Sequence, residues 1–138
     1  MTIFETDTDL ARERRAIQLF VSTFGGSYQK LDQFDVDYKV FDSENNLIAY
    51  AEVKGRIRNI KDAYPLPISV KKLVKLVDKR ITAVVIWACE DGIIYAKVNN
   101  ITGQIKWGGR KARYGSYNDE ELMAYFDKQK EFKYVRFI

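Results

Sequence analysis

The chain of 138 residues contains no histidine. That absence removes Ser-His-Asp and Cys-His triads, histidine-based nucleases and imidazole metal sites together. Cysteine is nearly absent too. The single one, Cys89, lies in the apolar run "TAVVIWAC", so no disulfide can form within the chain, a reducing compartment fits, and Cys89 reads as a small core residue. The two prolines, Pro65 and Pro67, are confined to "DAYPLPI". The N-terminus is acidic and no apolar run approaches about 20 residues, so neither a signal peptide nor a membrane span is expected, and the chain reads as soluble and cytoplasmic. Hydrolytic chemistry in such a sequence falls to carboxylates, lysines and a hard metal ion.

What is present is globular in kind. The hydrophobic fraction is 46% and the aromatic fraction 14%, and the length suits one domain with a core of its own, spanning 1–138. The net charge of +4 is mild but unevenly spread. Residues 54–80 are dense in lysine and arginine, with Asp62 and Asp78 as the acids; "QIKWGGRKARYG" adds Lys106, Arg110, Lys111 and Arg113 with no acid. Basic stretches of this kind suit a phosphate backbone, though solvated basic faces are common as well.

Periodicity supplies the elements. Leu10, Ala16, Ile17, Phe20, Val21 and Phe24 recur at helical spacing ahead of Gly25-Gly26, predicting a helix over roughly 8–24. Alternation on either side of "DSENN" predicts a hairpin with strands near 34–42 and 46–54, and a short strand near 28–32 precedes it. "DAYPLPI" reads as an ordered loop. "SVKKLVKLVDKR" reads as an amphipathic helix capped by Ser69, with Val70, Leu73, Val74 and Val77 on its buried face. "ITAVVIWAC" has the continuous β-branched character of a strand buried on both sides, and "IIYAKVN" is its partner after the turn "EDG". A loop rich in glycine and basic residues follows. Asn118 and Glu121 form a capping signature for a helix "DEELMAYFDKQ", and "FKYVRFI" ends the chain as a strand. A helix between the hairpin and the buried strand implies a crossover, hence an α/β fold with a mixed central sheet flanked by helices.

The stretch "AYAEVKGRIR", residues 49–58, carries the chemistry. Residues two apart on a strand share a face, so Glu52 and Lys54 project together with Tyr50, while Ala49, Ala51 and Val53 face the other way. In the preceding strand Asp35, Asp37 and Lys39 share a face, and closing the hairpin at "SENN" brings the Asp37 end opposite Glu52. Two carboxylates within reach of one cation suit Mg²⁺, which prefers oxygen ligands and keeps several waters. The ammonium of Lys54 is then placed to orient a water and offset phosphate charge. The plain alternative is a solvated ion pair on an exposed strand. Against it stand the small apolar residues around the pair, "IAYAEV", and the basic opening Gly55-Arg56 at the strand end.

A helix with Glu, a strand with Asp, a strand with Glu-x-Lys and then a helix: this order resembles the PD-(D/E)XK nuclease superfamily, which includes Holliday-junction resolvases, restriction endonucleases and viral nucleases. With "VDYKVFDSENNLIAYAEVKGR", "YPLPISVKK" and "WGGRKAR", the chain is most similar to small single-domain nucleases of phage type. The resemblance spans about residues 10–100 and implies a restriction-endonuclease-like αβββαβ core. It matches Asp37 to the motif aspartate, Glu52 and Lys54 to Glu-x-Lys, and Glu13 to the acidic residue that many members add from the first helix. Val36 stands where the motif has proline, Asp35 competes with Asp37, and Glu5 competes less closely with Glu13.

The resemblance implies a Mg²⁺-dependent deoxyribonuclease in which Mn²⁺ substitutes, with Asp37, Glu52, the Val53 carbonyl and Glu13 around the metal and Lys54 beside the attacking water. It also implies DNA as partner, two copies acting as a pair, and the host cytoplasm as the setting. Arg56, Arg58, Ser69, Lys71, Lys72, Arg110, Lys111 and Arg113 are the candidate contacts to nucleic acid, and Trp107 is a candidate to stack on a base. For Ser69 the helix-cap reading competes. A non-catalytic nucleic-acid-binding module on the same fold is the alternative, and a structural protein with ordinary surface charges a third reading.

Overall fold

The computed structural model describes residues 7–32, 36–108 and 121–138. Helix α1 (Asp7–Ser22) buries Ala16, Ile17, Phe20 and Val21, the stripe seen in the sequence. Gly25, with φ 70°, turns the chain out of it, and the Gly26 N–H donates back to the Val21 carbonyl at 3.0 Å. Strands β1 (Ser27–Lys30), β2 (Tyr38–Phe41) and β3 (Leu47–Gly55) follow as an antiparallel set. The β2–β3 turn is built as its residues dictate. The Asp42 carboxylate accepts from the N–H groups of Glu44 and Asn46, both at 2.9 Å, and Asn45 takes φ 67°, a conformation asparagine tolerates.

Strand β4 (Leu66–Ser69) and helix α2 (Val70–Val77) come next, then β5 (Thr82–Ala88) and β6 (Gly92–Lys97). Strand β5 lies parallel to β3, so the segment carrying α2 is the expected crossover, and β5 is buried along most of its length. Strands β7 (Gln104–Gly108), β8 (Glu121–Phe126) and β9 (Lys133–Arg136) complete the set. One mixed sheet runs β1-β2-β3-β5-β6-β9, and a second, smaller one runs β4-β8-β7. Helix α1 covers one face of the large sheet through Ile17, Phe20 and Val21 against Val40, Ala51, Val84 and Ile86. The small sheet and α2 cover the other through Leu66, Ile68, Leu76 and Phe126 against Val85, Trp87 and Ile94. The Trp87 indole N–H donates to the Pro67 carbonyl at 2.8 Å and ties the two sheets together.

Four sequence expectations are corrected. Residues 121–126 form a strand, not a helix; of the capping signature, Asn118 lies outside the described residues. Ala124 and Phe126 alternate inward with period two, and pairing to β4 and β7 overrides the helical preference of Glu, Leu, Met and Ala. "DAYPLPI" begins at the end of a short 3-10 turn, Ile60–Asp62, and contains most of β4, whose Pro67 is tolerated because β4 is an edge strand. Residues 104–108, read as loop, are the edge strand β7. In α2 the buried residue is Leu76, with Val70 and Leu73 half-buried, while Val74 and Val77 are exposed.

Candidate active site

The end of β3 is where the sequence placed the chemistry. Ala49, Ala51 and Val53 pack under α1, and the residues between them point to the opposite face. Glu52 is 3% exposed and is the one charged residue in the buried set among those described. Asp37 sits just before β2, whose Tyr38 pairs with Ala51. The two residues clamp each other: the Asp37 N–H donates to Glu52 Oε2 at 3.0 Å, and the Val53 N–H donates to Asp37 Oδ2 at 2.8 Å. The Asp37 carbonyl accepts from the Leu31 N–H at 2.9 Å, which fixes the residue from the other side. One oxygen of each carboxylate is left without a backbone donor among the described residues.

Two carboxylates this close cannot both ionise freely. Burial first, then the neighbouring Asp37 carboxyl, push Glu52 up to about 8 from an ordinary 4.5. Lys72, from the first turn of α2, opposes this with its ammonium 3.5 Å from Glu52 Oε1. Ser69 fixes that turn, its Oγ accepting from the Lys72 N–H at 3.2 Å, so the cap expected from the sequence is formed. Lys54 is half-buried. Burial and then the Lys72 charge lower its hold on its proton.

A cleft of about 470 Å³ opens here, lined by Asp9, Arg12, Glu13, Asp37, Val53, Lys54, Gly55, Ile57, Lys72 and Ala88. Gly55 and Ala88 are paired at the carboxyl ends of the parallel strands β3 and β5, the place where open α/β sheets receive ligands. Glu13 enters from α1, and its Oε1 accepts from Tyr38 Oη at 2.7 Å and from Lys30 Nζ. Burial raises its pKa and the Lys30 bond opposes the rise, with Asp37 adding a smaller upward push.

The expected residues Asp37, Glu52, Val53, Lys54, Glu13 and Lys72 are therefore brought together. Arg56 is engaged elsewhere, its guanidinium donating to the carbonyls of Ala63 and Pro65 at 2.9 and 3.3 Å. Arg58 and Lys71 are exposed. Asp35, Arg110, Lys111, Arg113 and Glu5 lie outside the described residues. Sequence reading missed Arg12, Tyr38 and Lys30. Only Arg12 had a local signal, since it follows Asp9 by one helical turn and pairs with it at 3.2 Å.

Among the described residues no three acidic or thiol side chains gather as a metal cluster. The donor set is two carboxylates and the Val53 carbonyl, with Glu13 already bonded within the chain. That set fits a hard divalent cation that keeps several waters, and the Asp37 carboxyl held beside buried Glu52 is a crowding that such a cation would relieve.

Neither curated proteins nor solved structures show significant similarity to the chain. A family model matches residues 2–135 and takes in every residue of this cleft, and the chain belongs to that family, described as "Phage putative PDDEXK endonuclease".

Proposed function

We propose that the chain is a divalent-cation-dependent deoxyribonuclease, cutting phosphodiester bonds in the cleft between α1 and α2, with the host cytoplasm as its setting. The observation that carries this reading is the reciprocal Asp37–Glu52 clamp with Lys54 in the same cleft. Asp37, Glu52 and the Val53 carbonyl would hold Mg²⁺ or Mn²⁺, with Glu13 reaching it through water. Such a cation supplies Lewis acidity to the phosphate and acidifies a water.

The chain's own residues do the rest. Lys54 holds a water against the phosphorus, and its lowered proton affinity is in the direction a proton acceptor requires. Lys72, half-exposed, is long enough to leave Glu52 for a phosphate oxygen when Glu52 is otherwise engaged. Arg12 and Lys72 put positive charge on opposite walls of the cleft, which favours a phosphate backbone running between them. Two copies acting on opposite strands would cut a duplex through, and sedimentation on a duplex checks that pairing.

Purified protein is incubated with supercoiled, linear and four-way-junction DNA in Mg²⁺, Mn²⁺ or EDTA, alongside Glu52→Gln and Lys54→Ala. Cutting is expected with either metal, none in EDTA, and a drop of about 10²–10⁴ for Lys54→Ala. No cutting by the parent, or equal cutting by the variants, ends this reading. The Lys72–Glu52 ion pair, in which the chain neutralises its own acid, favours the alternative of a binding module without activity. DNA bound but uncut in every metal would establish that alternative.

A further inference from the structure

Ile57 is 70% exposed, yet it lines the same cleft as Asp37, Lys54 and Gly55. Single exposed isoleucines are ordinary on protein surfaces. This one differs in how its backbone is held. The Arg56 N–H donates to the Ala88 carbonyl at 2.9 Å, and the Arg58 N–H donates to the Arg56 carbonyl at 2.7 Å, closing a three-residue turn with Ile57 at its tip.

The turn is fastened on several sides. The Glu90 N–H donates to the Arg58 carbonyl at 2.9 Å, the Arg56 guanidinium holds the Ala63 and Pro65 carbonyls, and the Asp91 carboxylate accepts from the Ile60 N–H at 2.8 Å. An aliphatic side chain is thus kept in water by backbone that cannot fold it away. Exposed Arg58 follows it, and Arg12 and Lys72 stand in the same cleft. Those cations attract phosphate. The aliphatic tip in the same cleft has nothing to offer phosphate and matches the apolar wedges that enter base steps.

We infer that Ile57 is a wedge that enters the base stack of duplex DNA beside the bond to be cut. The inference rests on the nuclease reading and names its substrate class: duplex that opens readily at the cut, or already carries a mismatch or branch there. Ile57 follows Lys54 by three residues, at most roughly 10 Å of chain. Bases are spaced about 3.4 Å along a strand, so the wedge acts within about three steps of the scissile phosphate.

Duplexes of one sequence carrying 2-aminopurine at successive positions are titrated in EDTA with the parent, Ile57→Met and Ile57→Ala. The parent and Ile57→Met should brighten the probe at one step or its neighbour, and Ile57→Ala should not. In Mg²⁺, Ile57→Ala should lose at least about tenfold more cutting on the fully paired duplex than on the same sequence mismatched at the cut. No brightening by the parent, equal brightening by Ile57→Ala, or equal loss on both substrates overturns the wedge. A parent that brightens the probe but cuts nothing in Mg²⁺ or Mn²⁺ overturns the nuclease reading and leaves the wedge standing.

Discussion

Glu13 and Glu52 reach the same cleft from different elements, and the chain treats them differently. Glu13 is given an ammonium and a hydroxyl, from Lys30 and Tyr38, with the Lys30 ammonium also 5.0 Å from the Tyr38 ring centroid. Glu52 is buried more deeply and given another carboxyl as its near neighbour, with Lys72 at a longer 3.5 Å. Buried charge normally comes with its counter-ion, and removing a partner is what makes it costly. One carboxylate is thus paired closely from within, and the other has a second carboxyl beside it and only a more distant ammonium, the arrangement the proposed cation would answer.

Substitutions test that contrast. The largest effect is expected at Glu52. On the proposed function, Glu52→Gln should reduce metal-dependent cutting by about 10³-fold or more, since it would remove a ligand of the proposed cation. Glu13→Gln should cost about tenfold, because in the proposed arrangement Glu13 reaches the cation only through water, and comparable nicking rates for the two variants would erase the distinction.

The second effect is on stability in EDTA. Glu52 ionises near 4.5 when unfolded and near 8 when folded. Between those values the unfolded chain gives up a proton that the folded chain keeps, so unfolding is favoured as pH rises. The stability that Glu52 contributes is therefore full below about pH 4.5 and is lost across the window up to about 8. At about 1.4 kcal/mol per pKa unit, the loss is a few kcal/mol. Urea midpoints at pH 5 and pH 8 should differ more in the parent than in Glu52→Gln, where Glu13, also raised by burial, still contributes.

Third, Lys72→Met removes the cation that rivals a metal at Glu52. Mn²⁺ should bind it several-fold more tightly by paramagnetic titration, while cutting slows. Equal Mn²⁺ affinity would mean that the 3.5 Å pair exerts no hold on the site. The smallest effect is at the cap: Ser69→Ala should cost about 1 kcal/mol in urea unfolding.

The legible parts of this molecule are those written in local period. The two faces of β3 follow from alternation, and α1 follows from its stripe and its Gly25 stop. The crossover follows from a helix ahead of a buried strand. Strand β8 was illegible because Glu, Leu, Met and Ala favour a helix and its partner β4 lies more than fifty residues earlier in the chain. The same holds within the site. Motif order put Asp37, Glu52 and Lys54 in one place. Nothing local linked Lys72 to Glu52, or Lys30 and Tyr38 to Glu13, because those contacts are made by folding. Arg56 shows the converse, a basic residue at a strand end that reads as a phosphate contact and instead fastens a loop.

Cys89 is buried, its thiol donating weakly to the Trp87 carbonyl at 3.8 Å, and burial pushes its pKa up to about 11. It is the only cysteine in the chain, so the protein is close to silent toward thiol reagents. A cysteine introduced at exposed Arg58 would be its sole reactive thiol. A dye or spin label could then be attached next to Ile57 with little background, as a reporter for the DNA binding proposed above.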